Sequence, residues 1–228
     1  MNLPQAGDFI DIHTHGSGPV SGKFMVEILM AHEEILPAEQ KGIAFAAGIH
    51  PWHLNEGNRN KLAEFMQKVA PHPAVVAIGE AGFDRLRGPG IELQREVFDE
   101  QVRLACQLGK PVVIHCVRAW DEILAAHRRL KPSTNWLIHG FRGKKELASQ
   151  LLSRGFYISI WFEFALRPES ADLIRSLPLE KLFLETDGAD TDIRDIYLKV
   201  AADLGLSPYE LKTVMYNNFK RFFGIGNR

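Results

Sequence analysis

The chain has 228 residues, 46% hydrophobic and 24% charged, and its 27 Lys and Arg against 28 Asp and Glu leave a formal net charge of −1. This is ordinary globular composition in a chain long enough to bury a sizeable core, and the charge balance gives no composition-level basis for a nucleic-acid partner. No run approaches the roughly 18 apolar residues of a membrane span, and the N-terminal MNLPQAGDFIDI lacks the basic and apolar regions of a signal peptide.

Strand-type runs alternate with helix-type stretches along the whole chain. FIDIHTH at 9–15 comes first, and side-chain alternation puts Asp11, His13 and His15 on one face. KFMVEILM at 23–30 and IAFAAGIH at 43–50 follow, the latter running into Pro51, Trp52 and His53. AVVAIGE at 74–80 ends on Glu80. Residues 93–108 form an amphipathic helix with Phe98, Val102, Ala105 and Leu108 in one stripe, stopped by Gly109 and Pro111. PVVIHCV at 111–117 carries His115, and NWLIHGF at 135–141 carries His139. A helix is predicted at 144–153, strands at FYISI (156–160) and KLFLETD (181–187, ending on Asp187), and a helix at 192–204. Ser207-Pro208-Tyr209-Glu210 reads as an N-cap, a first-turn proline and a capping-box Glu, starting a last helix over 208–222. Cys106 and Cys116 sit in apolar contexts and are expected to be buried, reduced thiols of a cytoplasmic protein.

Eight strands alternating with helices, several of them almost continuously apolar, predict an α/β single domain over 1–228, a (β/α)8 TIM barrel, with a doubly wound sheet as the alternative. In such a barrel the C-terminal strand ends converge on one face, and that is where the unusual residues fall: His13, His15, His50, Glu80, His115, His139 and Asp187. Taken singly, a His at the end of an apolar strand is commonly a hydrogen-bonded structural residue. Recurrence at the ends of separate strands is another matter, because several buried polar groups must be satisfied by one another or by an ion. Imidazole and carboxylate are standard ligands of Zn²⁺ and related ions, and two His at i and i+2 on a strand reach the same side. Six of these seven acting as ligands would exceed one open tetrahedral site and would suit two ions with a shared carboxylate.

The same residues carry a resemblance. Asp-x-His-x-His at 11–15, Gly-Ile-His-Pro at 48–51, Gly-Glu-Ala-Gly-Phe-Asp at 79–84, Val-Ile-His-Cys-Val-Arg at 113–118, His139-Gly140-Phe141, Leu-Glu-Thr-Asp at 184–187 and Asn218-Phe219-Lys220-Arg221-Phe222-Phe223 resemble the TatD-type deoxyribonucleases, amidohydrolase-like metal-dependent hydrolases with a TIM-barrel fold. The resemblance implies a somewhat shortened, distorted barrel holding two divalent metal ions, Zn, Mg, Mn or Ni. By it, His13, His15 and Asp187 hold one ion, His115 and His139 the other, and Glu80 bridges both. Glu80 and Asp187 are then the catalytic residues, Asp187 taking a proton from the attacking water. Asp11 is expected to orient a ligand His or pack behind it. His50, Trp52 and His53 are expected on the substrate side, with Arg118 and Arg142 on flanking phosphates. No function falls to His32, His72 or His127.

The chain departs from the family pattern in places expected to touch substrate. Arg85 stands where the family usually has Tyr, Gly140-Phe141-Arg142-Gly143 replaces a run that commonly ends Phe-Ser-Gly, and Gly188 follows the Thr-Asp where Pro is common. The segment between the first and third strands is short. The implied activity is metal-dependent cleavage of DNA phosphodiester bonds by a monomer or weak oligomer. The alternatives are a hydrolase of a small phosphate ester, lactone or amide, and a non-enzymatic metal-stabilised binding barrel.

Overall fold

The computed structural model describes residues 3–16 and 18–225; Met1 and Asn2 of the N-terminal stretch lie outside them. Eight strands form one sheet whose neighbours follow sequence order: β1 (Phe9–Thr14), β2 (Lys23–Met30), β3 (Ile43–Gly48), β4 (Val75–Asp84), β5 (Val112–Val117), β6 (Trp136–Phe141), β7 (Tyr157–Ile160) and β8 (Leu182–Leu184). The pairs β1–β2, β3–β4, β4–β5 and β7–β8 run parallel. The helices are α1 (Arg59–Val69), α2 (Ile91–Leu108), α3 (Trp120–Leu130), α4 (Lys145–Leu152), α5 (Phe162–Ala165), α6 (Ser170–Ser176), α7 (Ile193–Leu204) and α8 (Pro208–Phe222). Sequential parallel strands joined by helical crossovers make this the expected (β/α)8 fold. It is shortened at its start. Among the described residues, no helix separates β1 from β2, and a single 3-10 turn, Ala31–Glu33, separates β2 from β3. No helix among the described residues is long and apolar enough to cross a membrane.

By contact density the chain divides into two units. One comprises the residues up to Glu27, Gln40–Ala44 and Ile138 onward. Its core gathers Ile10, Ile12, Phe24, Phe183, Phe219 and Phe222, all essentially inaccessible. The Tyr197 hydroxyl of α7 donates to the Ile10 carbonyl at 3.0 Å and accepts from the Ile10 N–H at 3.1 Å, fastening the helix to β1. Asn218 of α8 donates to the carbonyls of Leu179 and Leu182 at 2.6 and 2.8 Å, which locks the helix to the start of β8. The predicted capping box is present: Ser207 Oγ accepts from the Glu210 N–H and the Glu210 carboxylate accepts from the Ser207 N–H.

The other unit comprises Ile28–Glu39 and Phe45–Leu137. Phe83, Phe98 and Trp136 pack ring against ring, with centroids 4.9 and 5.4 Å apart. Its fourth strand does not end at Glu80, as the sequence suggested, but runs to Asp84, all ten residues buried. Glycine makes this possible. A Cβ on Gly82 would lie 1.9 Å from the His115 carbonyl oxygen, and one on Gly79 would lie 2.4 Å from that of Val113, so β4 approaches β5 as only glycine allows. The eighth strand is shorter than predicted, ending at Leu184. Beyond it the chain leaves the ladder for partners on and after β1.

Candidate metal centre

In the first unit, His13 on β1 and His15 just past it face Asp187. The Asp187 Oδ1 atom lies 3.4 Å from His13 Nε2 and 3.5 Å from His15 Nε2. Asp187 is placed by its backbone, which adopts φ +53° and donates its N–H to the His13 carbonyl at 3.0 Å. Asp11 completes the clamp, accepting from the Thr186 N–H at 3.1 Å and the Thr186 hydroxyl at 2.6 Å. Its carboxylate therefore positions the segment that carries Asp187, rather than a ligand imidazole. Burial pushes the Asp11 carboxyl up to about 7 against these hydrogen bonds. For Asp187, burial also opposes ionisation, but hydrogen bonds from His13 and His15 and the nearby imidazoles outweigh it and hold the carboxyl well below the usual range. His139 stacks on His13 with centroids 4.0 Å apart and planes 7° from parallel. Behind it, Glu185 is fully buried, accepts from the Ser159 hydroxyl, and lies 3.7 Å from His139 Nδ1.

In the second unit, Glu80 Oε1 lies 2.7 Å from His115 Nδ1 and 3.2 Å from His50 Nε2. His50 was expected on the substrate side. Its Nδ1 accepts from the Trp52 N–H at 3.1 Å, which turns Nε2 toward Glu80 and makes it a third member of the group. His115 Nε2 lies 3.3 Å from Asp84 Oδ2, and the Trp52 indole donates to the same oxygen at 2.6 Å. Burial raises the Asp84 carboxyl, but donors from Trp52, Leu86 and His115 together bring it below its ordinary value. Two glutamines one heptad apart on α2 hold this arrangement from behind. Gln94 bonds both backbone groups of Asp84, at 2.8 and 2.9 Å, and Gln101 both of Ile49, at 2.7 and 3.2 Å.

Asp84, Glu185, Gln94 and Gln101 are the functional-region residues that sequence reasoning did not assign. Asp84 and Glu185 sat inside the quoted motifs, and acids bounding an otherwise apolar strand were the available signal. The glutamines gave none, because polar residues on an amphipathic helix read as solvent-facing. Of the remaining candidates, His53 stacks on His32 at 3.7 Å, and burial followed by the neighbouring His32 charge lowers its pKa. Arg142 lies over the Trp161 ring at 4.2 Å, and exposed Arg118 is engaged through its carbonyl, which accepts from Arg85 at 3.2 Å.

The donor sets suit a divalent ion. Two ligand bonds of ~2.1 Å at a tetrahedral angle place their atoms ~3.4 Å apart, and the His13–Asp187 and His15–Asp187 separations of 3.4 and 3.5 Å match that spacing. His50, Glu80 and His115 form a comparable buried set in the second unit, their ligand atoms within 4.8 Å of one another.

Fold and donor chemistry together define a metal-dependent hydrolase on a (β/α)8 scaffold. The family described as TatD related DNase matches residues 23–224, and the chain belongs to that family. The match begins after the Asp-x-His-x-His motif. The metal-dependent hydrolase YcfH of Escherichia coli K12 is 31% identical over 211 residues, 85% of this chain and 78% of that protein. The 3'-5' ssDNA/RNA exonuclease TatD of Edwardsiella piscicida is 37% identical over 159 residues, 67% of this chain and 60% of that protein. The crystal structure of the TatD homologue YjjV from Escherichia coli K12 superposes with a TM-score of 0.78 at 22% identity, covering 96% of this chain and 99% of that one.

Proposed function

We propose that this hydrolase cleaves phosphodiester bonds of DNA, with 1–228 working as one catalytic domain that holds two divalent ions, Zn, Mg, Mn or Ni. By the family resemblance, His13, His15 and Asp187 would hold one ion and His115 and His139 the other, with Glu80 available to both. The carrying observation is the single Asp187 oxygen set, from two imidazoles, at the spacing of ligands that share one ion. Its support in the second unit is the Glu80 oxygen shared between His50 and His115.

When bound, the ions supply Lewis acidity at a phosphoryl oxygen and lower the pKa of water from 15.7 toward ~7. The chain's own residues do the rest. Asp187, held ionised by its imidazole donors, takes a proton from the attacking water. Asp11, through Thr186, keeps that carboxylate oriented. Arg118 and Arg142 hold flanking phosphates, and His50, Trp52 and His53 line the substrate side. The proposed setting is the cytoplasm, as a monomer or weak oligomer.

Assay of labelled single- and double-stranded DNA with Mg²⁺, Mn²⁺ or Zn²⁺ tests this reading. Cleavage abolished by chelator and by Asp187→Asn is the expected result. Cleavage indifferent to both overturns the mechanism, and turnover of small esters far above that of DNA overturns the substrate.

A further inference from the structure

Arg142 directly follows Phe141, the last residue of β6, at a position where the family commonly has serine, and the segment after β7 reads Trp161-Phe162-Glu163-Phe164. The two segments meet. The Arg142 guanidinium lies over the Trp161 indole at 4.2 Å. Trp161 is fastened to the end of β6 by its own N–H, which donates to the Phe141 carbonyl at 3.2 Å, and Phe162 braces its ring edge-on at 5.4 Å. Gly143 packs so close to the Phe141 ring that a Cβ there would lie 2.7 Å from it. Arg142 is exposed and Trp161 half-buried, so the pair keeps surface at solvent. Glu163, the acid nearest in sequence, is paired with Arg167 at 3.4 Å.

We propose that Trp161 and Arg142 form a specificity shelf beside His139: the guanidinium that lies over the indole swings onto a phosphate of the strand, and that nucleotide's base takes its place against the ring. The inference rests on the nuclease reading and deepens it by naming what selects the substrate. Arg142 lies three positions along the chain from His139, a span of at most ~10–11 Å, so the shelf serves a nucleotide close to the bond that is cut. An indole stacks on any base, because every base has a π-face, and a neighbouring Arg adds a phosphate contact. The shelf therefore recognises the presence of a base rather than its identity.

The test uses the full chain with Trp161→Ala, Trp161→Phe and Arg142→Ala. A short oligonucleotide and versions carrying one abasic site at successive positions are compared in two readouts: binding by fluorescence anisotropy in chelator, and cleavage with Mn²⁺. Wild type should lose ~10-fold or more in Kd and KM when the stacked base is missing. Trp161→Ala should abolish that discrimination, Trp161→Phe should keep most of it, and Arg142→Ala should weaken all strands alike and flatten the salt dependence. An equal abasic penalty in wild type and Trp161→Ala overturns the shelf even if DNA is cut. Base-dependent binding without cleavage under any metal keeps the shelf and overturns the nuclease reading. Neither binding nor cleavage overturns both.

Discussion

Asp187 faces two imidazoles and bonds the β1 backbone, and it does so in a left-handed conformation that these partners enforce. Its folded-state pKa is depressed from 3.8, as is that of Asp84. The sign follows: a depressed carboxyl stabilises the fold above about pH 4, and that contribution is lost as pH falls through the lower native value. In chelator, Asp187→Asn should therefore unfold less steeply with acid than wild type. Superimposable acid-unfolding curves would show that His13 and His15 do not hold the carboxylate. Asp11 makes a second prediction at this level. Asp11→Ala removes the acceptor for two Thr186 donors in a buried site, so urea unfolding should report a loss of roughly 1–3 kcal/mol. Asp11→Asn keeps one acceptor oxygen and should fall between the two.

At the level of strands and helices, the β4–β5 seam is the least forgiving part of the fold. Gly82→Ala would drive a Cβ to 1.9 Å of the His115 carbonyl from a φ of +155°. Loss of at least ~3 kcal/mol, or failure to accumulate as soluble protein, is expected, among the larger effects of a point mutation. Ser207→Ala at the α8 capping box provides the contrast, with a loss of only ~1 kcal/mol. Local signals explain what could be read in advance. The capped helix over Pro208–Phe222 and the strand Lys23–Met30 match their predicted limits because cap, proline and apolar run all lie in the segment itself. α1 and α3 escaped sequence reading because each buries few apolar residues, Leu62, Met66 and Val69 in one, Ile123 and Ala126 in the other. The continuation of β4 through Ala81–Asp84 escaped it too, since only the approach of β5 explains why glycine-rich chain stays extended there.

For the molecule as a whole, metal should couple to stability. An ion that binds only the folded chain stabilises it by RT ln(1 + [L]/Kd), about 2.7 kcal/mol at a hundred times Kd. A rise in Tm on adding Mn²⁺ or Zn²⁺, reversed by chelator and diminished in His13→Ala, is the expected outcome; an unchanged Tm would remove metal from the folded state's account. The sequence by itself determined the strand–helix alternation, the α8 cap and the residue types of the donor set, because periodicity, capping and ligand chemistry reside in each segment's own side chains. Only tertiary structure decided that Asp11 grips Thr186, that His50 joins Glu80, that Asp84 meets His115 and Trp52, and that Gln94 and Gln101 turn inward. Each of those contacts joins residues whose roles are set by what the fold brings against them, and no local pattern encodes that neighbour.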